Sequence, residues 1–175
     1  SYQRHGATKY IYWVSYNVYW QRSRYSNNNQ KNIIMENKIK KVAVLGAGTM
    51  GAQIAGHFSN AGISALLFDI NSELAKSGVD TLTKLRPAPL YKPKNAELIT
   101  ACTYDADLEK LKDVDLVIEA VAENLEIKHT LYKNIIPHLK DSVIMSSNTS
   151  GIPLEDLITV LPENLKSRFL ITHFF

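Results

Sequence analysis

From Lys41 onward the chain alternates short, continuously apolar runs with stretches whose apolar residues recur every three or four positions. Val42 to Leu45 is valine-rich and ended by glycine, the pattern of a strand buried on both faces. After a turn at Gly46–Gly51, Ala52 to Asn60 carries Ile54, Ala55 and Phe58 at helical spacing, with Gly62 as a stop. Ser64 to Ile70 predicts a second buried strand. Asn71 is placed to cap the next helix, which has Glu73 in its first turn and Leu74, Val79, Leu82 and Leu85 along it. The proline-punctuated, basic stretch Arg86 to Lys94 predicts a loop. Ile99 to Thr103 and Asp113 to Val121 predict two more strands, and Leu125 to Leu139 a helix whose last turn Pro137 disturbs. Val143 to Ser147 and Phe169 to Phe175 predict a last pair of strands, flanking a helix from about Pro153 to Leu161. Such alternation predicts an α/β fold with a mainly parallel sheet and helices on both faces.

The first 34 residues break this pattern. They hold both tryptophans, six of the nine tyrosines and no acid, and show neither helical nor strand periodicity. Organellar transit peptides are also acid-poor but are amphipathic, which this segment is not. We read 1–34 as a non-native or disordered extension and 35–175 as one domain, with Met35 just ahead of the first strand. Residues 1–40 contain seven Lys/Arg against one acid, +6, whereas 41–175 contain 13 against 16, −3. The chain's net charge of +3 therefore reflects its tail and does not point the domain toward nucleic acid. One cysteine, Cys102, excludes an internal disulfide and a multi-cysteine zinc site, and fits a reducing compartment. The longest uncharged run near the N-terminus, Tyr10 to Gln21, is 12 residues, short of the about 20 that a spanning helix needs. Cytoplasm is the expected location.

The candidate chemistry begins at the first turn. Gly46-Ala47-Gly48-Thr49-Met50-Gly51 is G-x-G-x-x-G, directly after a strand and opening a helix. In a Rossmann-type, doubly wound fold the first glycine permits the tight turn and the second lets the backbone approach a pyrophosphate. The third lets the helix pack against the strand. N–H groups near Thr49 and Met50 would then hold the anion, helped by the helix dipole. Asp69 ends the second strand, 21 positions after Gly48. A carboxylate at that point accepts the adenosine ribose hydroxyls and repels a 2′-phosphate, so NAD is expected over NADP. A plain structural glycine turn, with Asp69 merely starting a helix, is the alternative.

The sequence then becomes more specific. Lys41-Val-Ala-Val-Leu-Gly-Ala-Gly-Thr-Met-Gly51, Val117-Ile-Glu-Ala-Val-Ala-Glu-Asn124, Ser146-Ser-Asn-Thr-Ser150 and His173-Phe-Phe175 occur in this order. Together they resemble the NAD-binding domain of 3-hydroxyacyl-CoA dehydrogenases over about residues 38–175. Arg86-Pro-Ala-Pro-Leu90 and Ser150-Gly-Ile-Pro153 are most similar to the long bacterial type, which carries a further enoyl-CoA hydratase-like region.

The resemblance implies roles for individual residues. Val121, Ala122 and Glu123 would contact the nicotinamide side of NAD; the alternative for Glu123 is an exposed acid whose charge suits a helix N-terminus. Lys128 matches a cofactor-contacting lysine; its ordinary fate is a solvated helix face. Ser147 matches a serine beside the nicotinamide that hydrogen-bonds the substrate's reacting oxygen, where Ser-Asn-Thr-Ser is otherwise turn chemistry. Asn148 lies in the same motif without a defined role. His173 is the expected general base, because an imidazole with an ordinary pKa of about 6.5 can take a hydroxyl proton near neutral pH. Lys76, Lys84, Arg86, Lys92 and Lys94 fall in the region that lies near the CoA phosphates in the family.

In the family an Asn-Pro and, about a dozen residues later, a histidine-orienting glutamate follow His-Phe-Phe. A helical domain that closes over the acyl chain and dimerises comes after them. This 175-residue chain is therefore expected to bind NAD with little or no turnover by itself. The implied substrate is a 3-hydroxyacyl-CoA, and the full-length protein is expected to be a homo-oligomer. A dehydrogenase of another hydroxyacid and a non-catalytic dinucleotide-binding module remain the alternatives.

Overall fold

The computed structural model describes residues 39–174. The 1–34 extension lies outside the described residues. Six strands form one parallel sheet: β1 (Lys41–Leu45), β2 (Ser64–Asp69), β3 (Ile99–Thr103), β4 (Leu116–Glu119), β5 (Ile144–Ser147) and β6 (Phe169–Ile171). Their spatial order is β3-β2-β1-β4-β5-β6. Between them run α1 (Thr49–Asn60), α2 (Ser72–Lys84), α3 (Leu125–Ile135), α4 (Leu154–Leu157) and α5 (Glu163–Lys166).

Strand side chains alternate between two hydrophobic layers, as the period of two requires. On one face Val42, Val44, Ala65, Leu67, Leu116 and Ile118 pack against Ile54 and Ala55 of α1 and Leu82 of α2. On the other, Ala43, Leu45, Phe68, Val117 and Met145 pack against Leu131, Tyr132 and Ile135 of α3, Leu157 of α4 and Leu165 of α5. Both faces are covered, which is why the strands read as uninterrupted apolar runs rather than as alternating ones. The chain reverses its winding between β1 and β4. Ligands of open α/β sheets bind at the carboxyl ends of the strands beside that switch point.

Differences from the sequence-based expectation lie mainly at boundaries. The first helix starts at Thr49, three residues early, because the glycine turn itself supplies its N-cap. The expected strand from Asp113 shortens to Leu116–Glu119; Leu108–Asp113 forms a 3-10 turn that buries Leu111, while Val114 in the connection is buried too. Pro137 ends α3, and a 3-10 turn over Ile136–His138 follows. The single helix expected near Pro153–Leu161 is α4 plus a 3-10 turn, and α5 was not foreseen. The last strand stops at Ile171, so His173 emerges beyond the sheet. Within the basic stretch after α2, Pro93–Leu98 is a 3-10 helix, and Asn60 ties the loop to α1. Its amide donates to the Pro89 carbonyl (2.8 Å), and its oxygen accepts from Tyr91 N and Asn95 Nδ2 (2.9 Å each).

Candidate functional site

The glycine turn is built as the fingerprint requires. Gly46 has φ +104°, and its N–H donates to the Phe68 carbonyl at 2.8 Å. A Cβ on Gly51 would stand 1.8 Å from the Gly46 carbonyl oxygen, so only glycine lets α1 begin this close to the turn. Gly48 is different: a Cβ there would meet nothing within 4 Å, and Gly48, Thr49 and Met50 are exposed. Gly48 is also the N-cap, and no side chain caps the helix. The leading N–H groups of this 12-residue helix are thus uncapped by any side chain, at an exposed turn. This arrangement fits an anion such as the pyrophosphate of NAD.

Asp69 joins this turn directly. One carboxylate oxygen accepts the Ala47 N–H and the other the Ile70 N–H, each at 2.7 Å. Asn71 caps α2 by accepting from Leu74 N at 2.9 Å, so Asp69 is not the helix cap. Its remaining lone pairs are available to ribose hydroxyls. Exposed Ile70 and Leu74 adjoin it along the chain as apolar surface.

At the ends of β4 and β5 the structure assembles a polar cluster whose centre the sequence reading missed. Glu119, the last residue of β4, is fully buried. Its Oε1 accepts from Lys128 Nζ (2.7 Å) and Val121 N (2.9 Å), and its Oε2 from Tyr132 Oη (2.8 Å) and Ser147 Oγ (2.6 Å). Four donors converge on one carboxylate, which makes its burial tolerable. An acid inside the apolar run Leu116–Glu119 was the available signal, because an acid is almost never fully buried unless paired. Burial, then the Glu119 charge, pushes the Tyr132 hydroxyl well above the usual phenol range, so it stays a donor.

Lys128 is neither on a solvated face nor open to solvent. It is 1% exposed, and its ammonium also lies 3.3 Å from Glu123 Oε2. Ser147 is fully buried; its hydroxyl donates to Glu119 and its oxygen accepts the Thr149 N–H at 3.2 Å. Glu123 is the outward-facing member, with a side chain 42% exposed. Its Oε1 accepts from Thr149 Oγ1 (2.6 Å), Ser150 N (3.0 Å) and Gly151 N (3.0 Å), latching the loop after β4 to the loop after β5. Burial alone would raise its pKa, but these hydrogen bonds and the Lys128 charge outweigh it and hold the carboxyl down at about 2. Val121 is half-buried and Ala122 exposed on the same bend.

His173 is exposed just past β6, beside β5. Thr172 N donates to the Ser147 carbonyl (3.0 Å) and Phe174 N to Asn148 Oδ1 (2.7 Å), while Asn148 N donates to the Glu119 carbonyl (2.7 Å). Asn148 thus acquires a definite part: it fixes the backbone on the far side of His173. The glycine turn with Asp69 lies at β1 and β2, and the Glu119 cluster with His173 at β4 to β6, all at the carboxyl edge. Among the described residues no group of three or more His, Cys, Asp or Glu is placed to hold a metal, and no helix is long and apolar enough to cross a membrane.

Turn, acidic strand end and switch point together define a dinucleotide-binding domain of the dehydrogenase class. Comparison with known proteins gives the particular family: residues 41–175 match the family described as 3-hydroxyacyl-CoA dehydrogenase, NAD binding domain, and the chain belongs to it. A Deinococcus radiodurans protein named as a 3-hydroxyacyl-CoA dehydrogenase is 46% identical over 145 residues, covering 79% of this chain and 42% of that one. A Rickettsia felis protein named as a fatty acid oxidation complex trifunctional enzyme is 46% identical over 148 residues, 81% of this chain and 21% of its own length. The structure of (S)-3-hydroxybutyryl-CoA dehydrogenase from Ralstonia eutropha superposes with a TM-score of 0.66 at 33% identity, covering 79% of this chain and 50% of that one. The chain therefore spans half or less of each of these relatives.

Proposed function

We propose that the protein carrying this domain oxidises (3S)-3-hydroxyacyl-CoA to 3-oxoacyl-CoA in fatty acid β-oxidation, with His173 as general base. The observation that carries the reading is His173 itself: an exposed imidazole at the carboxyl edge, with the neighbouring Thr172 and Phe174 N–H groups held by Ser147 and Asn148, within a domain of this family. NAD, held by the glycine turn and Asp69, would supply the hydride acceptor for the carbinol carbon. The imidazole takes the hydroxyl proton from the oxygen on that carbon, leaving the ketone.

The chain's own groups divide the remaining work. Gly46, Gly48 and Gly51 with the N–H groups of Thr49 and Met50 seat the pyrophosphate, and Asp69 holds the adenosine ribose. Val121, Ala122, Glu123, Lys128 and Ser147 shape the nicotinamide side. Glu123 with Ala122 presents the outer surface there, while Lys128 and Ser147 act from within through Glu119. For Ser147 to touch the substrate oxygen, its cover must shift from the arrangement seen here. Further parts of this reading are a cytoplasmic location and a homo-oligomeric full-length protein.

The test is steady-state turnover by the full-length protein with 3-hydroxybutyryl-CoA and, separately, with free hydroxyacids. His173→Gln is expected to lower kcat by about 10²- to 10⁴-fold while NAD affinity stays within about twofold. Turnover of free hydroxyacids alone, or a His173→Gln variant that keeps its rate, overturns the proposal.

A further inference from the structure

Glu119, Lys128 and Glu123 form a chain of three charges, with Lys128 Nζ 2.7 Å from one carboxylate and 3.3 Å from the other. Two carboxylates against one ammonium leave a net charge of −1. Glu119 and Lys128, 0% and 1% exposed, offset each other, so the uncompensated charge is that of Glu123, whose side chain is 42% exposed and is held in place by Thr149, Ser150 and Gly151. Glu119 Oε1 receives both the Lys128 ammonium and the Val121 N–H, so the ion pair is held by two donors at one oxygen.

The position of this charge follows from the topology. Glycine turn and Asp69 fix the pyrophosphate and adenosine half at β1 and β2, and a dinucleotide laid across the switch point places its other half over β4 and β5. The triad sits at the carboxyl end of β4 and in the first turns of α3. The nicotinamide ring is a cation in NAD⁺ and neutral in NADH, so a net negative group beside it acts on one redox state and not on the other.

We propose that the Glu119–Lys128–Glu123 triad is an electrostatic selector for the oxidised cofactor. Its excess negative charge lowers the dissociation constant of NAD⁺ relative to NADH, which favours loading the domain for oxidation. This rests on the NAD-binding reading of the site and goes beyond it, because it assigns the triad to the redox state of the cofactor and not to its shape.

The experiment compares dissociation constants for NAD⁺ and NADH, by calorimetry and by NADH fluorescence, in the 175-residue chain and three variants. Glu123→Gln and Glu119→Gln each bring the triad to zero net charge and are expected to move the ratio Kd(NADH)/Kd(NAD⁺) down by about threefold or more. Glu123→Gln lies at the surface and keeps the test decisive if the buried Glu119→Gln fails to fold. Tyr132→Phe removes a hydrogen bond from Glu119 without changing charge; it is expected to leave the ratio where it was, even if both affinities weaken. Equal weakening of both cofactors by Glu123→Gln, or a shift of the ratio by Tyr132→Phe as large as that by the charge variants, overturns the selector. Failure of the unsubstituted chain to bind either cofactor overturns the NAD reading itself, and the selector with it.

Discussion

At the scale of single residues, Asp69 and Glu123 each brace a turn at the carboxyl edge through backbone N–H groups, which makes their ligand roles testable apart from their structural ones. Asp69 braces the glycine turn through Ala47 N and keeps lone pairs for a ribose. Asp69→Asn retains one acceptor but loses the charge, and is expected to weaken NAD by about tenfold while narrowing the gap to NADP; calorimetry with both cofactors measures it. Glu123 makes a prediction about pH. Its carboxyl sits at about 2 in the folded chain against an ordinary 4.5, so the native state prefers the ionised form. That contribution is complete above pH 4.5 and fades as pH falls toward 2. Urea midpoints of the unsubstituted chain and Glu123→Gln should therefore differ near neutrality and converge in acid. A constant gap from pH 6 to 2 would count against the latch.

At the scale of elements, the turn from β1 into α1 separates two uses of glycine that look alike in the motif. Gly51 is required by the fold, since its Cβ would overlap the Gly46 carbonyl. Gly48 is required by no protein contact: φ is −64° and the space around it is open. Gly51→Ala is thus expected to destabilise by about 3 kcal/mol or more. Gly48→Ala should keep stability within about 0.5 kcal/mol and yet lose measurable NAD affinity, because its methyl would stand where the phosphate approaches. Thermal melts paired with NAD titration distinguish the two. Gly78 of α2 belongs with Gly51, its Cβ falling 2.8 Å from the Ala47 carbonyl oxygen, and no motif marks it.

At the scale of the whole molecule, the two hydrophobic layers meet at one sheet, so binding at its carboxyl edge couples to the stability of the entire domain. NAD at a hundredfold its dissociation constant should add about 2.7 kcal/mol to unfolding, seen as a melting point several degrees higher. The absence of any shift at saturating NAD would argue that the native state does not bind it.

The chain's order of apolar runs and amphipathic stretches was enough to predict the parallel sheet, because runs this short, rich in branched residues and bounded by turn residues, read as strands buried on both faces. The turn at Gly46, Gly48 and Gly51 and its neighbour Asp69 were legible from the spacing of a local motif, whereas His173 stood out only through the resemblance of His173-Phe-Phe175 to the family. Glu119, and the inward turn of Lys128 and Ser147, were not legible. They depend on β4, β5 and α3 bringing residues 9 and 28 positions apart along the chain within 2.7 Å. Sequence proximity fixes what a turn can do, whereas the partner of a buried charge is chosen by which strands lie side by side, and only the folded sheet decides that.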